Sequence, residues 1–201
     1  MSATNVSAKK IAFLALFIAL DAVLTAFLAI PAGVGYINFG DAIAFLAVAL
    51  FGFPAIVVGS LAGFIADLLA GYASFAPFTL IVKAAMSTVS ALLLRALTKN
   101  NKRNVLTFAI SYLAGGLTMA TGYFFVNWFL NGSAHAAFFG GVPYDLLQAA
   151  VCVAAGTALS ILFDKTPALS RFFAFGTEKR GDVCQNQEST AENFPSEEDK
   201  K

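Results

Sequence analysis

The sequence predicts an all-α, polytopic membrane protein: six transmembrane helices in one bundle, with the N- and C-termini cytoplasmic. Three observations carry this expectation. Hydrophobic residues make up 58% of the 201-residue chain and charged residues only 12%, and mean hydropathy is +0.74, well beyond the range of soluble domains. The apolar residues fall into six blocks, most of them close to the roughly 20 residues needed to cross a bilayer. The basic residues gather at one side of those blocks, which the positive-inside rule makes the cytoplasmic side.

The six blocks lie at about residues 9–30, 38–52, 54–71, 76–97, 105–130 and 142–163. The first follows Lys9 and Lys10. Its start resembles a signal peptide, but the apolar run is about twice the usual length for one, so it is read as a retained helix. The second block is short, about 14 apolar residues before Gly52-Phe53-Pro54, and suits a tilted span or a half-helix. The third and fourth are joined by a short connection at about 72–75. Arg95, Lys99, Lys102 and Arg103 separate the fourth from the fifth, and Lys165 and Arg171 follow the sixth. The connections at about 31–37, 72–75 and 131–141 contain no Lys or Arg. This divides the chain into a cytoplasmic N-terminus at 1–8, a membrane domain at 9–165 and a cytoplasmic, largely disordered tail at 166–201. Seven of the twelve acidic residues lie between Glu178 and Asp199, in a segment too polar to fund its own ordering by burial.

Small residues recur at helical spacing, as close packing in lipid requires: Ala8, Ala12, Ala15, Ala19, Ala22 and Ala26 on helix one, Gly59 and Gly63 on helix three, Ala150 and Ala154 on helix six. Ordinary internal packing and, for helix one, docking of a second membrane subunit are both compatible with such rows.

Of the thirteen basic residues only Lys83 falls away from the cytoplasmic side. An ionisable residue inside a membrane span costs at least a few kcal/mol and marks a functional site by default. With the six-span topology, Asn38, Asp41, Asp67, Tyr72, Thr79, Lys83, Asn127, Trp128, Tyr144, Asp145 and Gln148 all converge on the outer half of the bundle. Asn38 and Asp41 are three apart, and Thr79 and Lys83 four apart, so each pair shares a helical face. Simpler readings stand beside these. Asp41 and Asp145 suit helix caps, Trp128, Tyr72, Tyr123 and Tyr144 suit an interfacial aromatic belt, and Asp67 with Lys83 suits a structural ion pair. Asp21 is a possible third partner for Lys83, and His135 reads as a solvated loop residue. An amine, several carboxylates, amides and aromatic rings in one place suit a small, flat, polar molecule.

The chain lacks the phosphate-binding Gly-x-x-x-x-Gly-Lys-Ser/Thr loop, the His-Glu-x-x-His zinc motif and the Gly-x-Ser-x-Gly elbow. Its one His and two Cys, Cys152 and Cys184, make no metal spacing or disulfide framework. No catalytic residue, metal site, cofactor or nucleic-acid interface is expected. A proton-coupled secondary transporter or channel using Asp67 and Asp21, and a small intramembrane enzyme, are the rival readings.

In order along the chain, Ile37-Asn-Phe-Gly-Asp-Ala-Ile-Ala-Phe-Leu46, Leu50-Phe-Gly-Phe-Pro54, Gly59-Ser-Leu-Ala-Gly63, Ala66-Asp-Leu-Leu-Ala-Gly-Tyr72 and Ala76-Pro-Phe-Thr-Leu-Ile-Val-Lys83 resemble the substrate-binding S component of energy-coupling factor (ECF) vitamin transporters, closest to the riboflavin-type and hydroxymethylpyrimidine/pyridoxine-type branch. The resemblance spans about residues 9–165 and departs from the family pattern at Ala84-Ala85. It implies a vitamin-binding subunit in the plasma membrane of a prokaryote. A transmembrane coupling subunit and two ABC ATPases would work with it, and Ala12, Ala15 and Ala19 would face the coupling subunit.

Overall fold

A computed structural model describes residues 8–33, 35–99 and 103–166; the expected polar ends, Cys184, Lys102 and Arg171 lie outside the described residues. Seven α-helices and one small hairpin follow in order: α1 (Ala8–Phe27), β1 (Ile30–Ala32), β2 (Gly35–Ile37), α2 (Gly40–Phe51), α3 (Ile56–Leu69), α4 (Ala76–Thr98), α5 (Val105–Asn131), α6 (Ala134–Gly140) and α7 (Val142–Lys165). Six of these helices lie at the six apolar blocks of the sequence.

Among the described residues, four stretches are long and apolar enough to cross a membrane: α1, α4, α5 and the run Ala134–Lys165 that joins α6 to α7. The apolar helices α2 and α3 are shorter, at 12 and 14 residues. The length of α2 has a physical reason. All but one of its residues are buried, with α1, α3, α4 and α7 packed around it, so it meets protein rather than lipid and need not match the bilayer thickness. Gly52, with φ +64°, ends it, and the single 3-10 turn Phe53–Ala55, with Pro54 in it, redirects the chain into α3.

Two elements differ from the sequence expectation. The 31–37 connection is an antiparallel hairpin pairing Ile30 with Ile37, Pro31 with Tyr36 and Ala32 with Gly35. Strands of three residues are too short to display a period of two. The 131–141 connection contains α6, capped by Ser133 Oγ accepting from the Ala136 N–H. The seven residues of α6 fall below the length at which helical periodicity is legible.

The core is built on close approach. Phe45 of α2 stacks on Tyr112 of α5 with centroids 4.7 Å apart, and the Tyr112 hydroxyl shares a 2.7 Å hydrogen bond with Ser160 of α7. A Cβ at Gly115 would stand 2.0 Å from Ser90 Oγ and 2.9 Å from the Met86 carbonyl oxygen, so Ser90 and the α4 backbone pack directly on the α5 backbone at Gly115. Ala150 and Ala154 are exposed rather than packed inside the chain, as are Ala8, Ala12, Ala15 and Ala19; in the α1 row Ala22 is buried. Gly59 and Gly63 do serve internal packing, against Ser87 and Thr79 of α4.

The bundle has two distinct ends. Arg103 donates to the Ala49 carbonyl at 2.9 Å and to Asp164 at 3.2 Å, and Arg95 sits over the Phe53 ring at 5.8 Å. These contacts put the C-terminal ends of α2, α4 and α7 at one basic end. The opposite end holds the hairpin, the α3–α4 turn and α6. Gly115→Ala should force α4 and α5 apart and cost about 1–3 kcal/mol, read as a lowered thermal unfolding midpoint in detergent.

Candidate functional site

Six helices raise polar side chains into one space near the hairpin end. Asp21 and Thr25 are four apart on α1, and Thr79 and Lys83 four apart on α4, as are Tyr123 and Asn127 on α5. Each pair therefore presents one face inward. Asp41 opens α2, Asp67 closes α3, and Asp145 and Gln148 lie in the first two turns of α7. Asn38 is not on a helix as expected; it precedes α2, where its Oδ1 accepts from the Gly40 N–H at 3.1 Å.

The centre of the site is the Lys83–Asp41 pair, with both side chains 4% exposed. The alternative of a structural ion pair between Lys83 and Asp67 does not hold: Lys83 pairs with Asp41. Asp41 wins because it stands at the first turn of the enclosed α2 and is held from its other oxygen as well, by Gln148 Nε2 at 2.6 Å. Asp41 is thus no helix cap: α2 has no side-chain cap bond. The amide of Gln148 passes the network on, its Oε1 accepting from the Asn38 backbone N–H at 2.9 Å and from Asn38 Nδ2 at 3.3 Å. Thr25 Oγ1 lies 3.1 Å from Asp21 Oδ1 and 3.4 Å from Asn38 Oδ1. Asp21 therefore bonds within α1 rather than to Lys83. Gly40 makes the crossing of α1 and α2 possible, because a Cβ there would fall 1.9 Å from Thr25 Oγ1 and 2.2 Å from Asp21 Oδ1.

A second layer lies above this one. The Tyr36 hydroxyl of the hairpin donates to Asp67 Oδ1. Burial pushes the Tyr36 hydroxyl well above its ordinary range and the facing carboxylate pushes the same way, so Tyr36 keeps its proton and donates. Tyr36 and Tyr72 pack with centroids 4.9 Å apart, and Tyr72 meets Phe75 edge-on at 6.2 Å. Tyr123 donates to Thr79 Oγ1 at 3.1 Å, and Lys83 Nζ lies 5.8 Å from the centre of its ring.

Between the layers is a narrow pocket of about 50 Å³, partly open to the outside. Of the residues expected at a site, Asn38, Asp67, Tyr72, Thr79, Lys83, Asn127, Asp145 and Gln148 line it, and Asp41 stands directly behind Lys83. Trp128 and Tyr144 do not. Trp128 is 46% exposed and stacks on Phe125 at the bundle surface, while the ring of Tyr144 covers the hairpin turn at Gly33. His135 packs on Phe139 of α6, 4.6 Å away. Three lining oxygens, Asp67 Oδ2, Asn127 Oδ1 and Asp145 Oδ2, are buried without a hydrogen-bond partner. The sequence reading did not place Thr25, Tyr36, Phe75 or Tyr123 at the site. Spacing could have found two of them, Thr25 from Asp21 and Tyr123 from Asn127. Tyr36 and Phe75 arrive by the hairpin and by the α3–α4 turn, which no helical period marks. Among the described residues no group of His, Cys, Asp or Glu could hold a metal ion.

Removing one member of a buried ion pair strands the other charge. Lys83→Met and Asp41→Leu should each cost about 3–5 kcal/mol of stability, and the double variant Lys83→Met/Asp41→Leu less than the sum of the two. Thermal unfolding of the four proteins in one detergent checks this.

The family described as "ECF-type riboflavin transporter, S component" matches residues 5–165, a range that takes in the whole bundle and every residue of the pocket. A protein of Pyrococcus woesei described as an uncharacterized protein in the gap 3' region is 33% identical over 141 residues, covering 68% of this chain and 87% of that relative. A match of that extent, on a helical membrane bundle with a polar pocket at one end, carries the conclusion that the chain belongs to the S-component family of ECF-type riboflavin transporters.

Proposed function

We propose that this S component captures a small, flat, water-soluble vitamin or vitamin precursor, of hydroxymethylpyrimidine, pyridoxine or riboflavin type, from outside the cell and delivers it inward with energy supplied in trans. Membership of the family makes the protein a multi-pass membrane subunit of vitamin uptake and not an enzyme. The observation that supports this role for the pocket is the set of buried, unpartnered oxygens of Asp67, Asn127 and Asp145 facing a space lined by Tyr36, Tyr72, Phe75 and Tyr123. Buried polar atoms are nearly always satisfied in a finished structure. Three that face one pocket are best accounted for by a ligand that supplies the missing bonds.

The proposed topology has six spans, both ends in the cytoplasm and the pocket toward the outside of a prokaryotic plasma membrane. The basic residues at the opposite end of the bundle support it through the positive-inside rule. In this reading Asp67, Asn127, Asp145 and Thr79 bond the ligand and the aromatic rings stack on it. Lys83, Asp41, Asn38 and Gln148 hold the floor in shape. A transmembrane coupling subunit and two ABC ATPases complete the importer, and the exposed Ala12, Ala15 and Ala19 are the proposed contact with the coupling subunit. Their small side chains let a second helix approach closely.

The purified chain, screened in detergent against B vitamins and their precursors without ATP, should bind one of them. Its thermal midpoint should rise with ligand concentration, because a ligand that binds only the folded state must stabilise it. A flat response across the panel overturns the proposal. Ala15→Leu with Ala19→Leu should leave that binding unchanged while abolishing co-purification with the coupling subunit and uptake by cells.

A further inference from the structure

The basic end of the bundle holds a second cavity, of about 200 Å³ and partly open, which capture of a ligand at the hairpin end does not use. Its buried lining is apolar, made by Val48, Ala91 and Leu94, and its exposed lining carries the guanidinium groups of Arg95 and Arg103. The two arginines are not equivalent. Arg103 gives one N–H to the Ala49 carbonyl near the end of α2 and another to Asp164 of α7, so it anchors the bundle and still keeps some of the five donors of a guanidinium. Arg95 lies over the Phe53 ring at 5.8 Å and has no ion-pair partner among the described residues. Lys99 follows one helical turn later on the same face, exposed and also without an ion-pair partner among the described residues. Asp164 is the one described carboxylate at this end, and Arg103 already holds it. Positive charge is therefore in excess around the cavity.

The surroundings of the cavity favour a lipid over a soluble anion. Phe53 in its lining is partly exposed, and Val57 and Leu61 follow it at steps of four along α3, both exposed. On α4, which packs against α3, Leu92 is exposed one turn before Arg95, on the same helical face. The cations thus stand at the head of an apolar lane that runs along two neighbouring helices. A phospholipid has the matching shape, with a phosphate for the cations and acyl chains for the lane. Guanidinium groups suit phosphate because their parallel N–H groups can bond two of its oxygens, and basic pockets between membrane helices on the cytoplasmic side are fitted to anionic headgroups. On the proposed topology this cavity lies at the level of the cytoplasmic headgroups.

We propose that the cavity bounded by Arg95, Phe53 and Arg103 is a binding site for an anionic phospholipid, with the headgroup phosphate on Arg95 and Lys99 and the acyl chains along Phe53, Val57 and Leu92. The site is independent of which vitamin the other end takes.

The purified full chain in detergent is titrated with dioleoylphosphatidylglycerol, with dioleoylphosphatidylcholine and with inorganic phosphate alone. Thermal midpoint is followed, and native mass spectrometry counts the lipid retained. Phosphatidylglycerol should raise the midpoint at a concentration at least about tenfold below that needed of phosphatidylcholine, and phosphate alone should not raise it. Arg95→Gln should weaken the phosphatidylglycerol response by about tenfold, the loss expected when one charge-assisted hydrogen bond is left unmade. Its lipid-free midpoint should stay near that of the parent, because Arg95 is exposed. Arg95→Lys, which keeps the charge and loses the fork, should fall between the two and carries the comparison if Arg95→Gln does not fold. Lys10→Gln, with the same change of net charge on α1, should respond like the parent. Equal responses to the two lipids, or full lipid retention by the folded Arg95 variants, overturn the proposal. So does an equal loss in Lys10→Gln, which would mean diffuse attraction of the basic end for anionic lipid. A response to phosphate alone equal to that of the lipid makes the site one for a soluble anion. Loss of co-purification with the coupling subunit in Arg95→Gln, with lipid binding unchanged, makes it a protein contact; each of these also overturns the proposal.

Discussion

A positive charge buried in an apolar bundle has to be answered, and the answer to Lys83 organises the hairpin end of this protein. Its ammonium group is paired with Asp41, Asp41 is held by Gln148, and Gln148 is tied to Asn38. Three helices and the segment before α2 are thereby fixed relative to one another by groups that cannot be left unpaired away from water. The pair also sets the electrostatic character of everything above it. Since Asp41 takes the one amine, the carboxyl groups of Asp67 and Asp145 face the pocket without an ion-pair partner among the described residues.

The bundle is built to make this arrangement possible. A 12-residue helix, α2, sits inside a ring of longer ones, which places Asp41 in the interior rather than at a lipid surface. Close crossings bring backbones together where the network needs them: Gly40 under Asp21 and Thr25, Gly63 against Thr79, Gly115 against Ser90. The result is a rigid floor beneath a pocket whose upper wall is the hairpin and the α3–α4 turn. That wall carries Tyr36 and Tyr72, whose rings pack together and tie the hairpin to Asp67. A ligand that engages Asp67 would therefore also be felt by the hairpin.

The two ends of the molecule serve different needs. The hairpin end holds the polar pocket. The other end holds Arg95 and Arg103, which anchor helix termini through a ring face and a backbone carbonyl. Along the outside, α1 leaves Ala8, Ala12, Ala15 and Ala19 exposed, a low-profile surface in an S component that works as one part of an importer. In the proposed function, binding and energy coupling are spatially separate on this chain, the first in the interior and the second on an outer face.

Much of this was legible in the residues alone. Composition and block lengths were enough for a helical membrane protein, because burying a backbone in lipid leaves little choice but helices, and the six apolar blocks coincide with α1 to α5 and α7. The motif string from Ile37 to Lys83 carried the family. Helical spacing brought Thr79 and Lys83 onto one face, and the cost of a buried charge singled out Lys83 and Asp67. What spacing could not decide was which carboxylate answers the lysine. Asp41 and Asp67 lie on different helices, and only the packing of α2 at the centre brings Asp41 to Lys83 and leaves Asp67 to Tyr36. The hairpin and α6 were hidden because elements of three and seven residues are shorter than the periods that would reveal them. Trp128 and Tyr144 share loops and helix ends with true pocket residues, and only rotation of α5 and α7 within the bundle turns them outward. Local chemistry along the chain therefore determined the kind of protein and the groups that must be satisfied, while tertiary packing, through helix rotation and depth, decided which groups satisfy one another and which remain free for a ligand.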